Sequence, residues 1–166
     1  NIYVFKGDGA AGVEATFDSL MAGSADEPNA LYGLVAQAVR VSADKLTYRF
    51  ELRPQARFHD GTRITAQDVA FSLTVLKTKG HPIYRTILAD LVSAEAEGDD
   101  VARVNFAPTR SRDLHLIVAG MPIFSARYYA NRDFEASTLE APLGSGPYKL
   151  ARFEQGRFVE YERVKD

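Results

Sequence analysis

Few residues in this chain have the types and spacing that catalysis requires. The three histidines, His59, His81 and His115, do not show the i, i+4 spacing of helical metal ligands, and there is no HExxH motif. His59 precedes Asp60, but adjacent side chains on a turn generally point apart, so a surface turn is a better interpretation than a proton-transfer pair. Because the chain has no cysteine, thiolate catalysis and cysteine-ligated metals are excluded.

Two glycine-rich segments invite a functional interpretation. The segment Gly144-Ser145-Gly146 lacks the G-x-S-x-G spacing of a hydrolase nucleophile, and Pro147 prevents a helix from following at once. Gly7, Gly9 and Gly12 match G-x-G-x-x-G, but no βαβ unit or acidic residue about twenty positions on supports a dinucleotide site. Residues 6–12 are instead expected to form a loop. Its backbone amides could face a ligand, or it could simply connect two elements.

Composition and charge restrict the class of protein. The 166 residues suffice for one domain or two small lobes, and a net charge of −2 gives no electrostatic case for nucleic acid or an anionic membrane. The absence of cysteine fits an oxidising compartment, although it also occurs by chance in the cytosol. No segment approaches the ~20 apolar residues of a membrane span. The chain starts at Asn1 without signal-peptide features, so we expect a processed or trimmed piece.

The elements that would position these residues can be predicted from hydrophobic periodicity. Helical spacing predicts a short helix through Val13, Phe17, Leu20 and Met21, and a second helical or mixed stretch follows over Leu31 to Val39. Strict alternation from Leu46 to Leu52 predicts a strand with one buried face.

The middle of the chain carries the clearest helix signals. Asp60-Gly61 indicates a turn, and Thr65 with Asp68 resembles a capping box at the start of a helix that ends at Gly80. The buried stripe of this helix is expected to contain Val69, Leu73 and Leu76.

Two hairpins and a further helix complete the predicted elements. One hairpin pairs Leu91–Ala96 with Ala102–Phe106, and the other pairs Tyr148–Phe153 with Phe158–Tyr161. Between them Ser111 can cap a helix, and Met121 to Tyr129 contains a proline break and one more helical turn. Hairpins mixed with helices indicate an α+β fold rather than regular βαβ alternation.

Two blocks in this sequence have an ordered spacing. The first block reads Tyr48-x-Phe50-x-Leu52-Arg53, then Ala56-x-Phe58-x-Asp60-Gly61, then Thr65-Ala66-x-Asp68-Val69-x-Phe71-Ser72, and the second is Pro142-Leu143-Gly144-Ser145-Gly146-Pro147-Tyr148. Both blocks resemble the hallmarks of extracellular solute-binding proteins of family 5, the oligopeptide-, dipeptide- and nickel-binding components of ABC importers. The sequence of residues 24–28 and 138–148 is most similar to the branch associated with oligopeptide and microcin C uptake.

The resemblance implies a periplasmic-binding-protein type II-like fold, in which two lobes close over a cleft. Because family members are several times longer, it also implies that this chain is an N-terminal fragment. Residues 1–24 and 142–166 would belong to lobe I, with Ser145 and Gly146 at the crossover that returns to it. Residues 25–141 would form an inserted α+β subdomain with hairpins and packed helices, and the second lobe would be absent.

The function implied by the resemblance is non-covalent binding of a peptide or peptide-like solute in the periplasm, for delivery to an ABC permease in the inner membrane. No enzymatic activity, cofactor or metal is expected. Ligand contacts are expected first from Gly9, Ala10, Ala11 and Gly12, whose small size lets the backbone approach a ligand, and more weakly from Tyr84. The alternative is a stand-alone interaction or sensory module that reuses the same subdomain.

Overall fold

The computed structural model describes residues 2–4, 9–136 and 138–165. Strands and helices are mixed along them, which agrees with the predicted α+β class. The strands are β1 (Met21–Ser24), β2 (Glu27–Gly33), β3 (Ala36–Val41), β4 (Thr47–Leu52), β5 (Leu91–Glu97), β6 (Val101–Phe106), β7 (Tyr148–Glu154) and β8 (Phe158–Arg163). The helices are α1 (Ala66–Lys79), α2 (Pro82–Ile87), α3 (Leu114–Ala119) and α4 (Ala126–Tyr129), with a 3₁₀ helix at Val13–Thr16.

An antiparallel sheet of four strands in the order β3-β4-β6-β5 forms the centre of the fold. The predicted alternation in β4 is confirmed, since Tyr48, Phe50 and Leu52 are buried. The intervening residues face solvent, where Arg49 pairs with Glu97 at 3.0 Å. One face of the sheet is thus apolar, and α1 packs against it at β5 and β6.

Helix α1 begins as its sequence predicts. Thr65 donates from its backbone N and from Oγ1 to Asp68 Oδ2, at 2.8 and 2.9 Å. The other carboxylate oxygen of Asp68 accepts a hydrogen bond from Ala126 N at 2.8 Å. The same carboxylate therefore holds the first turn of α1 and the first residue of α4.

The helix predicted over residues 13–21 is wrong beyond Thr16. Phe17 is extended (φ −120°, ψ 134°), and Leu20 O accepts hydrogen bonds from Leu34 N at 3.0 Å and Ala36 N at 2.9 Å. Leu20 is fully buried by this pairing, so its apolar character reflects strand contacts rather than a helical stripe. A short apolar run fits both periods, and distant partners decide between them.

The helical or mixed stretch predicted over Leu31 to Val39 is wrong for the same reason. Its residues belong to β2 and β3, where Gly33 pairs with Met21 and Val39 pairs with Phe50. At α3 the N-cap position is held by Asp113 and not by Ser111, which contributes only its carbonyl as acceptor for Leu114 N.

Both predicted hairpins are confirmed. The turns that join β5 to β6 and β7 to β8 contain Gly98 (φ +70°) and Gly156 (φ +77°), in the left-handed region that favours glycine. In the described part of the chain, no helix has the length and apolar character needed to cross a membrane.

Candidate functional site

A cleft of about 770 Å³ lies between the two ends of the chain. One wall is the loop before the 3₁₀ helix, which contributes Gly9, Ala10 and Ala11. The opposite wall is the β7–β8 hairpin, which contributes apolar side chains: Leu150, Phe153, Phe158 and Val159. The structure thus brings three of the four predicted small residues to one cavity, whose size is typical of a small-molecule site.

Two aromatic rings close the cleft on the side of the core. Tyr3 and Phe17 line it, and both make edge-to-face contacts with Phe124, at 5.1 Å between ring centroids in each case. Burial raises the pKa of the Tyr3 hydroxyl well above its ordinary value, with a smaller contribution from Tyr84. This hydroxyl therefore stays protonated at neutral pH, and the aromatic side of the cleft is uncharged.

Gly9 and Gly12 are each required in the loop, for different structural reasons. A Cβ at Gly9 would overlap Cγ2 of Ile2, so the backbone there must be bare. Gly12 has φ +81°, and a Cβ placed on it would lie 3.3 Å from the ring of Tyr161. Tyr161 Oη also donates to Ala11 O at 2.8 Å. Strand β8 therefore holds the loop in place.

Not every predicted ligand contact lines the cleft. Gly12 shapes the loop instead. Residues 6–8, the first part of the predicted loop, lie outside the described residues. Tyr84 is half-buried and packs against Tyr3 at 6.0 Å, one ring away from the cavity. Burial raises its pKa, so it too is uncharged at neutral pH.

Charged side chains at the rim pair with one another. Glu154 and Arg157 form an ion pair at 2.7 Å in the turn between β7 and β8, and Glu140 lies 3.8 Å from Arg132. Both pairs are exposed, so they contribute little to stability. They leave the cleft close to neutral, and its apolar walls dominate what it can bind.

The glycine-rich segment of residues 144–146, called the crossover below, lies beside the 3₁₀ helix. Ser145 N and Gly146 N both donate to Thr16 O at 2.9 Å, and the ring of His59 contacts Gly146 O. The side chains of His59 and Asp60 point to different partners, as the sequence predicts, since Asp60 bonds Thr62. The predicted surface turn describes the exposed Asp60 well, but His59 is half-buried.

Sequence reasoning missed the hairpin side of the cleft. Phe153 and Phe158 are 38% and 40% exposed, and both line the cleft. Their position on both sides of the Gln155-Gly156 turn is visible in the sequence and could have indicated an apolar surface with a partner elsewhere.

A second, smaller cavity of about 380 Å³ lies at the edge strand β3, where its lining includes Met21, Leu31 and Val39. It contains none of the predicted site residues. Among residues 2–4, 9–136 and 138–165, no three histidine, aspartate or glutamate side chains come together as a metal site would require.

Solved structures with this architecture include NikZ and AppA. NikZ from Campylobacter jejuni, in complex with Ni(L-His), matches with a TM-score of 0.81 and 23% identity, over 98% of this chain and 32% of that chain. The oligopeptide-binding protein AppA from Bacillus subtilis, in complex with a nonapeptide, matches with a TM-score of 0.77 and 19% identity, over 98% of this chain and 33% of that chain. At these identities the likeness concerns the fold, and it confirms the periplasmic-binding-protein type II-like class.

Sequence similarity to known proteins indicates the same group of proteins as the structural likeness. This chain is similar to the Agrobacterium fabrum protein named "Probable peptide-binding protein YejA", with 33% identity over 173 residues that cover all of this chain and 28% of the relative. The chain spans about a quarter of the length of the curated relatives it matches. Residues 30–166 match the family model described as "Bacterial extracellular solute-binding proteins, family 5 Middle". The chain therefore belongs to the bacterial extracellular solute-binding proteins of family 5.

Proposed function

We propose that this chain is part of the substrate-binding component of an ABC importer, and that it binds peptides or peptide-like solutes without covalent chemistry. The observation that carries this proposal is the cleft of about 770 Å³ between residues 9–11 and the β7–β8 hairpin. The small residues of the loop face the apolar side chains of the hairpin across it. Such a site suits a ligand that offers main-chain hydrogen bonds on one side and apolar groups on the other.

Names of related proteins support a peptide rather than another solute. AppA is an oligopeptide-binding protein seen with a nonapeptide, and the Agrobacterium relative is named for peptide binding. NikZ, with Ni(L-His), makes a metal–amino-acid complex the natural competitor in a test. The near-neutral cleft favours the peptide, because paired rim charges leave no excess charge to select a charged complex.

The lobes of this component are assigned as follows. Residues 1–24 and 142–166 form part of lobe I, and residues 25–141 form the inserted subdomain. The contact of Tyr161 with Ala11 supports the joint assignment of the two ends. Residue 24 lies at the turn of the first hairpin, so residues 19–24 pair with the subdomain side. The second lobe comes from chain outside these residues and closes over the ligand by a hinge motion.

The partner of the complete protein is a permease in the inner membrane, and its compartment is the periplasm. The support is membership of the family together with the absence of cysteine, which suits an oxidising compartment. No cofactor or enzymatic step is required by this role, because release to the permease needs only reopening of the lobes.

Calorimetry on the complete gene product tests the proposal. Defined tri-, penta- and nonapeptides are titrated in parallel with Ni(II)–histidine. We expect a peptide to bind with a micromolar or lower Kd, and we expect Ala11→Phe to weaken it at least tenfold, because the ring enters the cleft at an exposed position. Ala130→Phe, at an exposed site outside the cleft, is the matched control. Binding of Ni(II)–histidine alone, or equal effects of the two variants, would reject the peptide proposal.

A further inference from the structure

The crossover at residues 144–146 is fixed on one side by the last residue of the 3₁₀ helix and by the chain that follows it. Thr16 O accepts hydrogen bonds from both Ser145 N and Gly146 N at 2.9 Å. Ser145 Oγ in turn accepts a hydrogen bond from Asp18 N at 3.1 Å. Two short segments more than a hundred residues apart in the sequence are thus joined almost entirely through backbone groups.

His59 fixes the other side of the crossover. Its backbone N donates to Gly144 O at 2.8 Å, and its ring Nε2 lies 2.8 Å from Gly146 O. Because a carbonyl oxygen can only accept, Nε2 must carry a proton. The ring is therefore either the neutral Nε2–H tautomer or the imidazolium, and in both forms it donates to the crossover.

The crossover has no free space between these two sides. A Cβ at Gly144 would overlap Thr16 O and lie 3.1 Å from Cε1 of His59, and a Cβ at Gly146 would lie 2.6 Å from Ala15 O. Both glycines are required by close approach of backbone, with no positive φ involved. The imidazole therefore packs against the segment as well as bonding to it.

His59 has a rigid base from which to do this. Phe58, the preceding residue, is buried, and its N donates to Thr62 O at 2.8 Å. Gly61 N donates to Phe58 O at 2.9 Å, and Asp60 Oδ1 accepts from Thr62 N at 2.9 Å. The tight turn is anchored in the core, so its histidine has a fixed position.

We infer that His59 is a positioning residue for the cleft. It holds the crossover from which the β7–β8 hairpin starts, and it therefore sets the position of the hairpin that forms the apolar wall. The inference rests on the proposed function, which gives the wall its role. Residues 148–154 extend ~20 Å from the crossover at ~3.3 Å per residue, so a rotation of ~5° at their start moves the far end by ~2 Å. A displacement of this size would open the contact of Phe153 and Phe158 with a bound ligand.

Three substitutions separate this role from general packing. His59→Gln places an amide N–H where Nε2 was, and His59→Asn places its amide near the position of Nδ1, too short to reach Gly146 O. His59→Ala removes both the ring and the donor. We expect His59→Gln to behave like the wild type, and His59→Asn to behave like His59→Ala.

Hydrogen exchange in the complete gene product measures, without a ligand, how firmly the crossover and the end of the hairpin are held. We expect at least tenfold faster exchange of the amides of residues 145, 146 and 164 in His59→Asn and His59→Ala, and a change within threefold in His59→Gln. The amides of residues 69–76 in α1 should stay protected in all variants, which shows that the fold persists. Exchange within twofold of the wild type in His59→Asn would overturn the inference.

Nitrogen NMR of the ring and calorimetry complete the test. We expect a proton on Nε2 in the wild type, and a neutral Nδ1–H tautomer would overturn the inference. With the peptides used above, His59→Asn should weaken binding at least fivefold, and His59→Gln should restore it to within twofold. Failure of the wild type to bind any of these peptides would reject the proposed function, and the exchange and NMR results would still decide the role of His59.

Discussion

At the scale of single residues, sequence spacing predicts local contacts but not contacts between distant positions. The pairing of Thr65 with Asp68 follows from their separation of three positions, and the structure confirms it. The bond from Ala126 N to the same carboxylate joins positions 58 apart, and no local pattern predicts it. The surroundings of Asp18 are likewise invisible in the sequence, because its burial arises from the crossover and from residues near Ile123.

Asp18 gives a prediction about pH at this scale. Burial raises the pKa of its carboxyl to about 6, against an ordinary value near ~3.9. Between these values the folded protein binds more protons than the unfolded chain, so the contribution of Asp18 to stability falls as pH rises from about 4 to about 6. We expect Asp18→Asn to raise the stability at pH 7 by about 1 kcal/mol, a discounted figure because the carboxyl is partly exposed.

Thermal unfolding of the complete gene product at pH 4 and pH 7 measures this effect. The variant should have the higher Tm at pH 7 and no advantage at pH 4, where the wild-type carboxyl is mostly protonated in the folded state. An advantage of equal size at both pH values would show that burial of the charge is not its cause.

At the scale of elements, strands with an alternating pattern or a hairpin turn signal were predicted, and strands β1 to β3 were not. Strand β4 alternates buried and exposed side chains along its length, and its pattern alone identifies it. Strands β1 to β3 lack this regularity, since β3 buries only Ala36. Their extended conformation comes from pairing, such as Val39 with Phe50, which competes successfully against weak local preferences.

Asp68 tests how elements are held together. Asp68→Ala leaves Thr65 N and Ala126 N without their acceptor at a buried site, and we expect a loss of about 2–4 kcal/mol in the free energy of unfolding. Asp113→Ala is the matched control. It removes an exposed aspartate at the start of α3 that makes no capping hydrogen bond, so a change within about 0.5 kcal/mol is expected.

Chemical denaturation with matched slopes for all variants provides the measurement. Asp68→Asn, which retains one acceptor oxygen, should fall between the wild type and Asp68→Ala. Equal losses for Asp68→Ala and Asp113→Ala would contradict a role of Asp68 in joining α1 to α4.

For the whole molecule, the fold class and family were accessible from sequence, but the cleft was not. Gly9, Ala10 and Ala11 were predicted as ligand contacts because of their small size, and the fold places them along one wall of the cleft. The opposite wall begins at Leu150, and only the fold brings these two ends together. A cleft made by segments at the two ends of a chain has no local signature, because neither wall shows its partner.

Peptide binding by the 166-residue chain alone tests the need for the second lobe. We expect binding that is weak or undetectable by calorimetry, because closure from the other side supplies part of the contact area and excludes water. The complete gene product, titrated with the same peptides, is the control. Micromolar or tighter binding by the isolated chain would contradict the requirement for two lobes.

The contact of Tyr161 with Ala11 also bears on the order in which the protein folds. These residues are 150 positions apart, so the loop that carries Gly9 to Gly12 stays without this partner until the 150 residues that follow Ala11 have been synthesised. The central sheet pairs strands much nearer in sequence and can form earlier. Within residues 9–165 the contact that fixes one wall of the cleft therefore forms after the central sheet can have its partners.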